Sequence, residues 1–275
     1  ALRREYSARQ NSFKILINSF YGYLGFAGAR FGDSDLAAEV TRRGREILEQ
    51  LIVNFQSKSC RVLEADTDGI YVEAGDWFDK PEKLLAAVNG DLPEGVDLEF
   101  DGAYEAMFCY KAKNYALLEG ESVVVKGSAL RSRGTEPFLR KLTNHLIDWL
   151  LGVREEDPQA AISELRSRLE EHSIPVEELA KGEYLSQSPA AYEKAVSEKG
   201  KARRASFEVS LRMNPVPKMG ERVLYYVGMG EKKSSPEWQK ARGIEEYDPV
   251  TAPYDPGYYQ ARIQNWLKRY GEFLD

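Results

Sequence analysis

Asp66 and Asp68 stand two residues apart in the run LEADTDGIYV, residues 63 to 72. In extended chain, side chains at i and i+2 leave the same face, so the two carboxylates would project together from the turn at Gly69. Such hard oxygen ligands suit magnesium, which is commonly held by one or two carboxylates together with substrate phosphates. A solvated acidic turn uses the same residues, since Asp and Gly are ordinary turn formers. A second group lies in KILINSFYG, residues 14 to 22. On a helix, Lys14, Asn18 and Tyr21 share one face and offer a cation, an amide and an aromatic ring. That set can hold a polyphosphate and pack on a base or sugar, but by spacing alone a solvated lysine beside a core tyrosine is the commoner arrangement. The third group is KAKNYALL followed by VVVKGSALRSRG, where Lys111, Lys113, Lys126, Arg131 and Arg133 are interleaved with Tyr110 and Tyr115. It suits contact with a nucleic-acid backbone, and it also suits strand edges guarded by lysines.

The elements that must position these groups can be read from periodicity and punctuation. Residues 12 to 22 form an apolar helical run ended by Gly22, Gly25 and Gly28. From Leu36 the three-to-four spacing of Val40, Gly44, Ile47, Leu48, Leu51 and Ile52 predicts an amphipathic helix, with Asp33, Ser34 or Asp35 as its cap. RVLEAD and IYVEA, split by Asp68-Gly69, predict an antiparallel hairpin. A short helix is expected over Pro81 to Asn89, and strands at VDLEF, Met107 to Tyr110, NYALL and SVVVK. Beyond Gly134 the pattern turns helical, with Pro137, Pro158 and Pro189 placed to open helices and Gly152 and Gly200 to close two of them. One strand-like run, RVLYYVG, interrupts this half before a last helix bearing Ile263, Trp266, Leu267 and Tyr270. The fold class expected is α+β: an antiparallel sheet with packed helices, followed by a mainly helical domain.

With 275 residues and 43% hydrophobic content, the chain can bury a proper core. No apolar run approaches the about 18 residues of a membrane span, and ALRREYSARQ lacks the apolar core of a secretory signal. Cys60 and Cys109 have no metal-ligand spacing, and His145 and His172 lie far from either, which argues against zinc and a disulfide framework and suits a reducing cytoplasm. The start at Ala1, inside what reads as a turn running into a helix, suggests a segment of something longer. A formal net charge of −6 argues, taken alone, against a nucleic-acid binder. Lys194, Lys199, Lys201, Arg203, Arg204, Arg212, Lys218 and Arg222 nevertheless follow closely on an acidic stretch, which leaves room for a basic strip on an acidic body.

Taken in order, the motifs resemble those of the family B (α-like) DNA polymerases. KILINSFYG resembles the family's motif B, DTD at residues 66 to 68 its motif C, and KNY at 113 to 115 its Lys-x-Tyr motif. KGSALRSR resembles the segment leading into the thumb, while GERVLYYVGMG and APYDPGYY resemble the thumb's strand and the entry to its last helix. The resemblance implies that residues 1–30 are part of the fingers, 31–133 the palm and 134–275 the thumb. It implies nucleotide contacts from Lys14, Asn18 and Tyr21, and catalytic carboxylates at Asp66 and Asp68 holding two Mg2+ ions, with Mn2+ as the alternative ion. Lys113, Tyr115, Lys126, Arg131 and Arg133 would touch primer-template DNA. The implied partners are this DNA, a deoxynucleoside triphosphate, an N-terminal polymerase portion with an exonuclease, and a sliding clamp. The implied location is the cytoplasm, on the nucleoid in a prokaryote. Gly69 replaces a frequent Ser, and Glu64-Ala65 a frequent Tyr-Gly, without loss of a carboxylate. Motif A, an Asp shortly before Ser-Leu-Tyr-Pro-Ser, is absent from these 275 residues, so activity is expected only with a portion that carries it. A non-catalytic DNA-binding subunit or degenerate relative is the competing reading. An RNA-copying palm enzyme is disfavoured by the lack of Tyr-x-Asp-Asp.

Overall fold

The computed structural model describes residues 2–66, 69–131, 134–232 and 234–274. The chain divides into two compact units, Ala1–Ala103 and Tyr104–Asp275.

The first unit opens with a long helix. Helix α1, Leu2–Leu24, outruns the expected 12 to 22 and is followed after a short turn by α2, Ser34–Ser57. Asp33 caps α2 by accepting the Leu36 N–H at 2.9 Å. Strands β1, Arg61–Asp66, and β2, Gly69–Glu73, pair antiparallel with Asp66 opposite Gly69, and α3, Pro81–Asn89, follows. Leu51, Phe55, Cys60, Leu84 and Val88 form the core, with Val62, Ile70 and Val72 of the hairpin packed against it. The sequence pattern for α2 needs correction: Leu36 and Val40 are about half exposed, and the buried residues are Ala37, Leu51 and Phe55. VDLEF is not a strand. The Asn89 side chain replaces the missing neighbour, donating to the Leu98 carbonyl at 3.2 Å and accepting the Leu98 N–H at 2.8 Å. These bonds satisfy the backbone without a ladder.

The second unit opens with a three-stranded antiparallel sheet of order β3-β4-β5: Ala106–Lys111, Asn114–Glu119 and Ser122–Lys126. This sheet is separate from the β1-β2 hairpin among the described residues. It shares one core with α4, Pro137–Leu150, and α5, Pro158–Glu170. Phe108 and Ala116 pack in that core with Phe138, Leu142, Leu146, Ile162 and Leu169. Short α6, Val176–Leu179, leads to β6, Lys181–Tyr184, then α7, Pro189–Lys199, and α8, Ala205–Ser210. Strand β7, Arg222–Val227, is followed by α9, Glu237–Lys240, β8, Ala241–Gly243, and the last helix α10, Pro256–Tyr270. Strand β7 is therefore central to a sheet of order β6-β7-β8, where periodicity marked a lone strand. KGEY and ARG are too short and too poor in β-branched residues to be recognised in isolation. A second core of Leu185, Tyr192, Phe207, Val209, Val223 and Tyr225 lies on this sheet, with Tyr192 and Phe207 stacked at 4.5 Å. The observed class is α+β, with antiparallel strands throughout the described sheets. Among the described residues, no helix is long and apolar enough to cross a membrane.

Candidate active site and nucleic-acid interface

Helix α1 carries Lys14, Asn18 and Tyr21 on one face, as their spacing requires. All three are exposed, Tyr21 at 44%, so the tyrosine is not a core residue. Its apolar neighbours Phe13, Ile15, Leu16, Ile17 and Phe20 are also exposed, each above 60%. Asp66 ends β1 and is half-buried, while Asp68 lies outside the described residues. Both groups belong to the first unit, and α2 is the common support, packing on α1 and on β1. Carboxylate oxygens are the donors a hard divalent cation prefers, so the residue types fit magnesium. Among the described residues no group of three metal-ligating side chains gathers.

The second unit assembles Lys113, Tyr115, Lys126 and Arg131, while Arg133 lies outside the described residues. Lys113 occupies the β3-β4 turn at φ 63°, and Tyr115 faces Lys126 across the β4-β5 ladder. Gly127 bends the chain away from β5 at φ 90°. A side chain there would overlap the Lys113 carbonyl and come within 2.7 Å of the Asn114 Cα. Glycine is thus required twice, for its positive φ and for the close approach. Asn114 completes the join: its Oδ1 accepts the Ala129 N–H at 2.8 Å, and its Nδ2 donates to the Ala112 carbonyl at 2.9 Å. KNY and KGS are therefore one local structure, held by an asparagine that sequence reasoning assigned no role. The signal available was an Asn between a strand end and a turn, where its side chain commonly replaces backbone partners.

The run APYDPGYY is structural, with Ala252, Tyr254 and Tyr259 buried. Asp255 caps α10 by accepting the Tyr258 N–H at 3.1 Å and pairs with Lys240 at 2.9 Å. The Tyr259 hydroxyl accepts the Val227 N–H at 2.9 Å. Tyr258 donates to Glu237 at 2.8 Å and meets Lys181 at 2.7 Å. Lys181 also pairs with Glu237 at 3.0 Å, and Tyr225 donates to Glu183 and Glu237 at 3.0 and 3.1 Å. The fully buried Glu136 accepts two bonds from Arg262, both 2.9 Å, with Lys181 3.7 Å away. This network joins α4, β6, β7, α9 and α10. Burial raises the Glu237 carboxyl, but Lys181 and the bonds from Tyr258 and Tyr225 outweigh it and leave it below the ordinary carboxylate value. Burial first, then the neighbouring carboxylates, push the Tyr225 and Tyr258 hydroxyls far up.

Among the described residues, half of the basic strip read from the sequence is matched by acids. Lys194 pairs with Glu198 at 4.0 Å, Arg203 with Glu208 at 3.1 Å, Arg204 with Glu183 at 3.2 Å and Arg212 with Glu246 at 3.6 Å. The positive potential expected from counting lysines and arginines there is reduced accordingly.

The fold is two units of helices and small antiparallel sheets. It matches the family B DNA polymerase of Pyrobaculum calidifontis with a TM-score of 0.68 at 22% identity, over 94% of this chain and 33% of that one. The model of DNA polymerase family B matches residues 1–272, and the chain belongs to that family. It is 28% identical over 258 residues to DNA polymerase 1 of Pyrococcus abyssi, covering 91% of this chain and 32% of the relative. It is 31% identical over 190 residues to a DNA polymerase of Archaeoglobus fulgidus, covering 67% of this chain and 24% of the relative. The chain thus spans about a third of the length of the first of these relatives.

Proposed function

We propose that this chain supplies part of the fingers (residues 1–30), the palm carboxylates (within 31–133) and the thumb (134–275) of a DNA-directed DNA polymerase. The observation carrying this reading is the family match over residues 1–272, which takes in every motif in order. In the reaction a primer 3′-oxygen attacks the α-phosphorus of a deoxynucleoside triphosphate and pyrophosphate leaves. Lys14 holds the triphosphate as a point charge, Asn18 assists from the next turn, and Tyr21 borders the nascent base pair. Their exposure on one face of α1 supports this, because a ligand can reach them. Asp66 and Asp68 would hold the divalent ions, which when bound stabilise the charge that develops on the attacking and leaving oxygens. Lys113, Tyr115, Lys126, Arg131 and Arg133 hold the primer-template backbone near the growing end. The chain's own contribution is positioning and electrostatic complementarity.

Catalysis requires a complementary segment carrying motif A. Two observations support this: motif A is absent from the 275 residues, and the apolar side chains of α1 are exposed, as expected of a surface that another part of a polymerase covers. Primer extension tests the reading. The chain alone should not extend a primer, whereas the chain joined to a motif A-bearing polymerase segment should. Asp66→Ala and Asp68→Ala should abolish extension by the joined protein while duplex binding persists. Extension surviving loss of both carboxylates would refute the assignment, and extension by the chain alone would refute its dependence on motif A.

A further inference from the structure

The second unit contains a cleft of about 500 Å³ lined by Val123, Val124, Val125, Lys126, Leu130, Arg131, Arg140 and Asn144. Arg140 and Asn144 enter none of the motifs above. They lie four residues apart on α4 and so share a face, opposite the one that buries Phe138, Leu142 and Leu146. The Arg140 Nη1 donates to the Thr135 carbonyl at 3.3 Å, which orients the guanidinium at the start of the helix. Across the cleft, Lys126 ends β5 and Gly127 turns the chain. The bend is closed by the Arg131 N–H on the Gly127 carbonyl at 3.1 Å and anchored by the buried Leu130. A strand end, a clamped turn and a helix thus bring three cations and an amide to one cleft. Among the described residues no carboxylate lines it. Among the described residues, Lys126, Arg131 and Arg140 have no ion-pair partner, in contrast to the neighbouring Lys141, which pairs with Glu178 at 2.9 Å.

Three cations held together without a counter-charge repel one another, and an anion bound among them relieves the repulsion. A phosphate oxyanion fits best. Guanidinium groups grip two of its oxygens at once, the lysine adds a point charge, and the asparagine amide donates to a third. We propose that Arg140, with Asn144, is a phosphate-binding residue that extends the Lys126–Arg131 contact onto the thumb helix, its ligand being the phosphodiester backbone of the primer-template duplex. This rests on the polymerase reading above.

The test is duplex binding by the full chain, followed by fluorescence anisotropy of a labelled primer-template at a series of chloride concentrations. Wild type, Arg140→Gln, Asn144→Ala and the control Lys141→Gln are compared. Loss of one phosphate contact lowers the slope of log K against log salt by about 0.9. Arg140→Gln should show that drop and bind several-fold more weakly at low salt. Asn144→Ala should weaken binding with an unchanged slope, and Lys141→Gln should match wild type. Circular dichroism of each variant checks that the helix is intact. A wild-type slope in Arg140→Gln overturns the proposal while leaving the polymerase reading standing. A wild-type chain that does not bind duplex at all overturns that reading and the proposal with it. A parallel titration with inorganic phosphate separates the sources of anion: phosphate binding lost in Arg140→Gln with duplex binding unchanged would assign the cleft to a free anion and overturn the backbone reading.

Discussion

Removing the Glu136 carboxylate should be among the most damaging single changes to the second unit. The side chain is fully buried, and both its oxygens accept from Arg262 at 2.9 Å, with Lys181 at 3.7 Å. Glu136→Met leaves two cations facing an apolar side chain. Breaking a buried pair by deleting one partner costs about 3–5 kcal/mol. Here Arg262 is 32% exposed, so water recovers part of its solvation, and Lys181 keeps Glu237 at 3.0 Å. The expected loss is therefore about 2–4 kcal/mol. For a unit of this size, about 3 kcal/mol corresponds to a Tm lower by roughly 6–12 °C. Tryptophan fluorescence in urea is the suitable assay, because Trp149, Trp238 and Trp266 all lie in the second unit and only Trp77 lies in the first. Arg262→Met and the double variant complete the cycle. The double variant should be less destabilised than the sum of the singles by about 1 kcal/mol or more, since removing both charges leaves no orphan. A Glu136→Met cost within about 0.5 kcal/mol, or strict additivity in the double, would refute the argument that this pair is held by desolvated charge.

Two further outcomes follow from the second unit's packing. Burial raises the Tyr226 hydroxyl to about 12 and those of Tyr225, Tyr258 and Tyr259 higher still; because the unfolded value is about 10, their contribution to stability is complete below that pH and lost as pH rises through the folded values. Tyrosinate absorbance should therefore rise for these residues only together with loss of circular dichroism, and full ionisation near pH 10 (about the unfolded value) in a still-folded protein would contradict it. Gly127→Ala places a methyl group against the Lys113–Asn114 backbone at positive φ, so it should cost about 2–4 kcal/mol in urea unfolding and weaken duplex binding, and an unchanged midpoint would refute the interlock of the two motifs.

Local pattern was enough for the elements that carry their own punctuation. Asp33 caps α2, and Pro137, Pro158 and Pro189 open α4, α5 and α7, each a short-range signal that no distant residue overrides. The hairpin placing Asp66 opposite Gly69 was legible for the same reason, as were Lys14, Asn18 and Tyr21 on one helix face. Strands that depend on a partner were not. VDLEF has strand composition but meets a single asparagine, whereas KGEY and ARG have little strand propensity and become strands because β7 offers two edges.

What the sequence by itself determined, then, is the order and identity of the locally encoded parts, because capping, helical periodicity and turn chemistry act over a few residues. Only the tertiary structure decided which distant residues share an environment. It placed Glu136 against Arg262 and Lys181, joined Asn114 and Gly127 across the β4-β5 sheet, and gathered Arg140 with Lys126 and Arg131 around one cleft. Contacts across tens of residues leave no periodic trace in a single chain; they arise from which surfaces must be buried together.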